Sequence, residues 1–263
     1  MSMISIRGLS RRFGELCAVD SLRLEIAAGE IFGLVGRNGA GKTTTIKMLT
    51  TLLPPSDGSA SIAGYDIVRQ PARVRGVIGY VPQALSADGE LTGYENLLVF
   101  ARLFDIPRAE RRGRIAQALA FMDLSDAADR LVRSYSGGMI RRLEIAQSTL
   151  HRPKVLFLDE PTVGLDPLAR HAVWEHVRRL NRELGTTVVV TTHYMDEAEA
   201  LCARMAIMQR GALAALDTPQ GLKARAGEHA TLDAAFERFT AGSEPEARYA
   251  DISNTRRSAG RLG

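Results

Sequence analysis

The chain has 263 residues, of which 45% are hydrophobic and 24% are charged, and its formal net charge at pH 7 is +4. This length allows one large α/β domain or two small ones, and the composition is that of an ordinary soluble globular protein. The modest positive charge suits an anionic ligand but does not by itself indicate nucleic acid. Cys17 and Cys202 form no C-x-x-C pattern, which argues against a disulfide framework or a metal site, so we expect two buried, reduced thiols in a cytosolic protein.

The sequence predicts neither a secretion signal nor a membrane span. Residues 1–7 lack the charged segment and apolar core of a signal peptide. A membrane helix needs about eighteen consecutive apolar residues. One of the longest apolar runs, at 186–192, is only as long as a strand. If the protein serves transport, we therefore expect another chain to supply the pathway.

The chain is predicted to begin with an antiparallel sheet. Segments 4–9 and 22–26 alternate apolar and polar residues, which is typical of half-exposed strands, and a loop containing Phe13 and Gly14 joins them. The apolar run at 31–35 then predicts a buried strand. Further short strands are predicted at 59–63 and 78–81.

A phosphate-binding pattern follows the strand at 31–35 directly. It has the form G-x-x-x-x-G-K-[ST] and consists of Gly36, Arg37, Asn38, Gly39, Ala40, Gly41, Lys42 and Thr43, with Thr44 opening a helix behind it. Glycines let backbone N–H groups converge on phosphate oxygens, and the helix N-terminus adds unpaired donors and a positive dipole end. We expect Lys42 to bind the β- and γ-phosphates and Thr43 to offer its hydroxyl to Mg²⁺.

The spacing of apolar residues becomes helical after residue 89. Thr92 and Glu95 fit a capping box, and apolar residues follow at helical intervals in two stretches up to Met122. The turn formed by Ser136, Gly137 and Gly138 leads into a further helix, whose N-terminus suits an anion. We therefore expect residues from about 84 to 150 to be mostly helical, between two β-rich parts.

The apolar strand predicted at 155–158 ends in two carboxylates, Asp159 and Glu160. The carboxyl end of a strand is where an α/β sheet places its active groups. We expect Asp159 to hold Mg²⁺ through water and Glu160 to orient or deprotonate the attacking water.

The remaining elements continue the α/β pattern. Asp166 is predicted to cap a helix that Gly185 ends, a buried strand follows at 187–190, and a hairpin spans 206–214. Beyond about residue 233 the composition shifts to small and charged residues, and from about residue 242 we expect disorder.

Together these motifs resemble the nucleotide-binding cassette of ATP-binding-cassette (ABC) transporters. The phosphate-binding loop corresponds to that family's Walker A motif, the turn at Ser136 to its signature motif, and Asp159 with Glu160 to its Walker B motif and catalytic glutamate. The resemblance implies roles for four isolated residues: Gln83 as the Q-loop ligand of Mg²⁺, Asp166 in the D-loop, His193 as the switch histidine on the γ-phosphate, and Phe13 as the aromatic residue against adenine.

The resemblance also implies a fold and a domain organisation. The expected fold is an α/β P-loop NTPase core with a parallel sheet, an N-terminal antiparallel β subdomain, and an inserted helical subdomain at about 84–150 that carries the signature motif. The cassette is expected to span residues 4–233. Residues 234–263 would then form a short C-terminal extension.

Departures from the commonest signature motif point to one branch of the family. Tyr135 and Met139 stand where leucine and glutamine are usual, so the side chain of Met139 cannot make the polar contacts of glutamine, although Ser136 and the backbone donors remain. With this wording the chain is similar to ATPase subunits of ABC-2-type exporters in the daunorubicin-exporter-like drug-resistance branch. Residues 231–236 also resemble the short C-terminal segment of that branch.

This resemblance implies an ATP hydrolase that uses ATP and Mg²⁺ to power a separate ABC-2-type permease exporting a drug, an antibiotic or another amphiphilic compound. Two such chains would form a head-to-tail homodimer, with ATP between the Walker A loop of one and the signature motif of the other. The chain would lie in the cytoplasm, on the cytoplasmic face of the cell membrane through its permease, and no nucleic-acid partner is expected.

Two alternatives stay open. The first is a soluble cassette ATPase that acts on ribosomes or DNA. It is disfavoured because the chain has one cassette and because the stretch between Gln83 and Ser134 is too short for a long coiled coil and lacks sustained heptads. The second is an importer ATPase, which would share every catalytic residue.

Overall fold

The structure is a computed structural model that describes residues 2–241, so the disorder predicted from about residue 242 lies outside the described residues. Its strands are β1 (Ser2–Phe13), β2 (Leu16–Ala27), β3 (Ile31–Val35), β4 (Asp57–Ile62), β5 (Tyr65–Asp66), β6 (Ile78–Val81), β7 (Val155–Asp159), β8 (Thr187–Thr192), β9 (Arg204–Gln209) and β10 (Ala212–Asp217). Its α-helices are α1 (Lys42–Leu49), α2 (Pro71–Val77), α3 (Gly93–Leu103), α4 (Arg108–Phe121), α5 (Gly137–Thr149), α6 (Pro167–Leu184), α7 (Met195–Leu201), α8 (Pro219–Ala226) and α9 (Leu232–Thr240).

The first sheet is antiparallel, as predicted, with the strand order β2-β1-β4-β5. Strands β1 and β2 extend further than expected, and their pairing continues until Phe13 lies opposite Leu16. The prediction that placed Phe13 in the connecting loop was therefore wrong. Gly14 has a left-handed φ of 57°, which lets a two-residue connection reverse the chain without strain.

The second sheet has the order β10-β9-β3-β8-β7-β6, and its neighbours are parallel except for β10 beside β9. Every residue of β3, β7 and β8 is buried, which explains their apolar sequences, since a parallel sheet is covered on both faces. In β7, Leu156 and Leu158 pack into the helical core, whereas Val155 and Phe157 pack with α1 and the antiparallel sheet. The expected α/β fold is confirmed, and the carboxyl ends of β3, β7 and β8 meet at one edge.

Residues 84–150 are mostly helical, as the sequence predicts, and contain α3, α4 and α5. The predicted capping box is present: Thr92 caps α3 and the Glu95 carboxylate accepts from the Thr92 backbone N–H. Buried residues of α4, among them Ile115 and Leu119, join one apolar core with α3, α5 and α6. That core fixes α5, and with it the turn at Ser136, beside the sheet.

Helix α9 packs on the sheet at the far end of the described chain. Leu232, Ala235 and Phe236 are buried in a cluster that also contains Met205 and Ile207 of β9. The cassette boundary predicted at residue 233 therefore falls inside a packed helix.

Tyr135, one of the departures from the usual signature motif, is an anchor of the helical core. Its side chain is 7% exposed, and its hydroxyl donates to the Ala127 carbonyl at 2.6 Å. A Cβ atom added to Gly93 would lie 2.3 Å from this hydroxyl oxygen. The tyrosine therefore requires a glycine at the first position of α3.

We expect Gly93→Ala to lower the free energy of unfolding by about 1–3 kcal/mol, because overpacking displaces the Tyr135 ring. In the Tyr135→Leu background the hydroxyl is gone, so the same substitution is expected to be neutral or to stabilise the helix by up to about 1 kcal/mol. Chemical denaturation of the wild type, the two single variants and the double variant measures the effect of Gly93→Ala on the free energy of unfolding in both backgrounds. An equal loss in the two backgrounds would show that the hydroxyl does not set this requirement.

Candidate active site

The phosphate-binding loop lies between β3 and α1, and close packing explains its glycines. A Cβ atom on Gly41 would lie 2.5 Å from the Ala18 carbonyl oxygen, and one on Gly36 would lie 2.7 Å from the Met208 carbonyl oxygen. Gly39 and Gly41 have left-handed φ values of 82° and 99°, which side-chain-bearing residues rarely adopt. Within residues 2–241, the backbone N–H groups of these two glycines donate to no protein acceptor. The loop therefore fits a polyphosphate.

Lys42 is buried inside this loop, with only 4% of its side chain exposed. Its ammonium donates to the Gly36 carbonyl at 2.7 Å and to the Arg37 carbonyl at 3.3 Å. It also forms an ion pair of 3.1 Å with the Glu160 carboxylate. A positive charge is thus held where bound phosphates would lie.

The Asp159 carboxylate lies beside Thr43, although the two residues are far apart in sequence. Its Oδ1 accepts from the Thr43 hydroxyl at 3.2 Å and from the Thr191 hydroxyl at 2.6 Å. A carboxylate and a hydroxyl are oxygen donors, which are the ligands that Mg²⁺ prefers. Gln83, the third predicted metal ligand, contacts Glu160 instead, with its Nε2 3.5 Å from Oε2. The residues present fit Mg²⁺ at Thr43 and Asp159.

Glu160 is the point at which the predicted catalytic residues meet. Its carboxylate is 3.1 Å from the Lys42 ammonium and 3.5 Å from the Gln83 amide nitrogen. The Nδ1 atom of His193 lies 3.2 Å from Oε2, without the alignment of a hydrogen bond. Glu160 itself is 5% exposed and has a left-handed φ of 49°, a strained conformation that is common at functional sites.

Thr191 is a site residue that the sequence reasoning missed. It is fully buried in β8, its hydroxyl donates to Asp159, and the same oxygen accepts from the Glu160 backbone N–H at 2.9 Å. One hydroxyl therefore orients both carboxylate residues. The available signal was a pair of polar residues, Thr191 and Thr192, directly after the apolar run at 188–190 of the same strand.

Glu197, a buried residue of α7, is a second residue that the sequence reasoning missed. Its carboxylate accepts from the Thr162 hydroxyl at 2.8 Å and from the Trp174 indole at 2.9 Å. Burial raises the pKa of this carboxyl above its ordinary value, and these hydrogen bonds oppose the rise. These hydrogen bonds connect α7 to α6 and to the loop after Glu160.

Tyr80 in β6 also has a raised pKa. Burial, and secondly the negative charge of Asp159, raise the pKa of its hydroxyl to about 12.

A cleft of about 960 Å³ opens over these groups, a size typical of a small-molecule site. Its lining includes most of the predicted nucleotide-contacting residues: Phe13, Arg37, Asn38, Gly39, Ala40, Gly41, Lys42, Thr43, Thr44, Gln83 and Glu160. Phe13 is 45% exposed, and the Arg11 guanidinium lies over its ring, 4.6 Å from the ring centre. Met208 and Arg210 also line the cleft, and the sequence did not single them out. Cys17 lines it too and is only partly buried, so the expectation of a buried thiol holds for Cys202 but was wrong for Cys17.

Seven predicted site residues do not line this cleft. Three of them, Gly36, Asp159 and His193, contact residues that do: Lys42, Thr43 and Glu160, respectively. The other four are Ser136, Gly137, Gly138 and Asp166. The Ser136 hydroxyl caps α5 by accepting from the Met139 N–H at 3.3 Å, and Asp166 caps α6 by accepting from the Ala169 N–H at 2.9 Å. A Cβ atom on Gly138 would lie 2.9 Å from the Ala169 Cβ, so the two helix starts pack together. The described chain thus presents two separate groups of predicted ATP-binding residues.

Comparison with known proteins identifies the family of the chain. A family model described as "ABC transporter" matches residues 19–163. The chain is 46% identical to the daunorubicin resistance ATP-binding protein DrrA2 of Streptomyces coeruleorubidus, over 84% of this chain and 68% of that protein. It is 43% identical to the Nod factor export ATP-binding protein I of Ralstonia nicotianae, over 84% of this chain and 68% of that protein.

Two solved structures share the fold. An ATP-binding subunit of an ABC transporter aligns with a TM-score of 0.80 and 28% identity, covering 90% of this chain and 99% of that one. A dimeric ATP-binding cassette in a post-hydrolysis state, bound to ADP and phosphate, aligns with a TM-score of 0.73 and 26% identity. The alignment covers 82% of this chain and 98% of that one. No helix within residues 2–241 is long and apolar enough to cross a membrane. By its family match and its relatives, the chain is an ATP-hydrolysing member of the ABC transporter family.

Proposed function

We propose that this chain powers a separate ABC-2-type permease that exports a drug, an antibiotic or another amphiphilic compound. One observation supports ATP hydrolysis at this site: Lys42, Gln83 and His193 all lie close to the Glu160 carboxylate. Asp159 and Thr43, which are hydrogen-bonded to each other, are the neighbouring groups. The direction of transport is supported by the relatives, whose names include daunorubicin resistance and Nod factor export.

The first step of the proposed mechanism is an exchange of partners by Lys42. Its ammonium pairs with Glu160 in the described chain, and the phosphates of ATP would compete for the same charge. When Lys42 turns to phosphate, Glu160 becomes free to accept a proton from the attacking water. His193 would orient the γ-phosphate, and Gln83 would orient that water.

Mg²⁺ would be held by the Thr43 hydroxyl and by the Asp159 carboxylate, with Gln83 as the further predicted ligand. The ion supplies charge neutralisation for the phosphates. The Thr191 hydroxyl keeps the Asp159 carboxylate oriented toward this position. Phe13 at the cleft mouth would contact adenine.

The second group of residues, at Ser136 and Asp166, is proposed to complete the cleft of another copy. Two helix N-termini facing one polyphosphate from opposite sides would share its negative charge. Family members dimerise, and we propose a head-to-tail homodimer with ATP at both interfaces. Closing with ATP and opening after hydrolysis would be the movement that the permease follows.

The domain bounds form part of the same proposal. The cassette would span residues 4–233, with a helical subdomain at about 84–150. The extension from 234 to 263 would begin within α9, which packs on β9. The chain would work in the cytoplasm, on the cytoplasmic face of the cell membrane, and without a nucleic-acid partner.

The test is to determine whether an adjacent gene encodes a membrane protein, to co-express that protein with this chain, and to measure ATP hydrolysis in lipid nanodiscs. We expect a six-span partner without its own cassette to co-purify and to raise hydrolysis several-fold, and we expect the Lys42→Ala complex to lack that increase. Inverted vesicles with this complex should take up an amphiphilic probe such as daunorubicin only with ATP. Stimulation by ribosomes or DNA instead of the membrane protein would overturn the proposal, and uptake in the opposite direction would indicate an importer.

A further inference from the structure

A buried ion pair connects helix α5 to the loop that carries Gln83. Arg141 and Glu144 lie one turn apart on α5, and each side chain is only 2% exposed. Their Nη1 and Oε2 atoms are 2.9 Å apart. Neither residue lines the nucleotide cleft, so the proposed chemistry leaves this pair unused.

The Arg141 guanidinium holds the beginning of this loop. Its Nη1 donates to the Pro82 carbonyl and its Nη2 to the Gln83 carbonyl, both at 2.7 Å. The planar fork of arginine is what allows two neighbouring carbonyls to be bound by one side chain, and the single ammonium of lysine lacks that geometry.

Glu144 holds the loop a few residues further on. Its Oε1 accepts from the backbone N–H of Ser86 and, at 3.1 Å, from the Ser86 hydroxyl. Residues 82–86 belong to no helix or strand. Side chains of α5 thus bind this segment at both ends.

Burying two charges is costly unless their remaining hydrogen-bonding groups are satisfied. Here backbone groups and a hydroxyl of the Gln83 loop bind both Nη atoms of Arg141 and Oε1 of Glu144, and the Arg141 Nε is left without a partner within residues 2–241. The pair therefore makes the position of that loop depend on the position of α5. The Gln83 side chain contacts Glu160, and α5 begins at the Ser136 cap.

We propose that Arg141 and Glu144 are positioning residues that hold Gln83 against Glu160 and link the Ser136 turn to the hydrolytic carboxylate of the same chain. This inference rests on the proposed function. Movement of α5 when Ser136 meets the ATP of a second copy would then shift Gln83. Occupation of one site would change the alignment of the catalytic groups in the other.

The test compares Arg141→Lys with Arg142→Lys in the full-length protein, alone and combined with Gln83→Ala. Arg142 is a matched control because it is on the same helix but donates to the Met122 carbonyl at 2.8 Å, away from the Gln83 loop. We expect Arg141→Lys to lower kcat roughly fivefold to thirtyfold. The KM for ATP should stay within about twofold, since the main groups proposed to bind phosphate and Mg²⁺, Lys42, Thr43 and Asp159, are untouched.

A positioning role and a general structural role differ in the combined variants. If Arg141 acts through Gln83, Arg141→Lys should lower kcat no further in the Gln83→Ala background, so the two effects are non-additive. Arg142→Lys should have the same small effect in both backgrounds. Independent, multiplying losses for Arg141→Lys and Gln83→Ala, or equal losses for the two arginine variants, would overturn the inference.

If a thermal melt shows that Arg141→Lys is strongly destabilised, a milder variant tests the same inference. Ser86→Ala removes only the hydroxyl bound to Glu144 and should lower kcat about twofold to threefold, again without further loss in the Gln83→Ala background. An unchanged kcat would overturn the inference. A wild-type chain without ATP hydrolysis would instead overturn the proposed function.

Discussion

Glu160→Gln is expected to lower ATP turnover by roughly 100- to 10,000-fold, the range for loss of a positioned general base. Glutamine has nearly the same shape but cannot accept the proton of the attacking water. The backbone at Glu160 is held by Thr191 at 2.9 Å, so the amide should occupy the place of the carboxylate. The defect should therefore be chemical, with the fold unchanged.

ATP binding should persist in this variant and is expected to become tighter. Removing the carboxylate frees Lys42 from its 3.1 Å ion pair, so that phosphate no longer competes with Glu160 for the ammonium. With hydrolysis blocked, ATP should hold two copies together as a stable dimer. Steady-state phosphate release, ATP titration and size-exclusion chromatography measure the three effects.

Glu199→Gln is the matched control. Glu199 is an exposed glutamate paired with Lys223 at 2.6 Å, so its substitution should leave hydrolysis near the wild-type rate. Near-normal hydrolysis by Glu160→Gln itself would remove Glu160 from the catalytic role.

Lys42→Ala is expected to weaken ATP binding by roughly 10- to 100-fold, the value of a charge-assisted hydrogen bond to phosphate. It should also destabilise the empty protein. Glu160 is 5% exposed and would lose its buried cation, a change that typically costs about 3–5 kcal/mol. ATP titration and chemical denaturation measure the two consequences.

The double variant Lys42→Ala/Glu160→Gln separates binding from stability. It should regain much of the lost stability, because no unpaired carboxylate remains, but it should not regain ATP affinity. Lys47→Ala, at an exposed position of the same helix, is the control and should change neither quantity. Undiminished ATP affinity in Lys42→Ala would show that this loop does not bind the phosphates.

The predictions that succeeded rest on local sequence. Continuous apolar runs indicated β3, β7 and β8 because a strand covered on both faces needs them. The cap of α3 depends on Thr92 and Glu95, which are three residues apart and interact within one turn. The phosphate-binding loop was also visible, since its packing constraints fall on consecutive residues.

The features that were missed depend on contacts distant in sequence. Thr191 orients both carboxylates only because β8 lies beside β7, and nothing near Thr191 in sequence indicates that. The partners of Arg141 lie in the loop before α3, so its sequence pattern resembled an ordinary helix. Phe13 was placed in a loop because no local signal shows how far two strands continue to pair.

The central claim is that one ATP is hydrolysed between Glu160 of one copy and Ser136 of another. Co-expressing a Ser136→Arg chain with a Glu160→Gln chain under different tags, and purifying through both tags, tests this directly. Each single variant should be inactive, whereas the mixed dimer contains one intact composite site and should regain activity well above both parents, up to about half of the wild-type rate, with coupling between the sites lowering that value. A mixed dimer as inactive as its parents would contradict the claim.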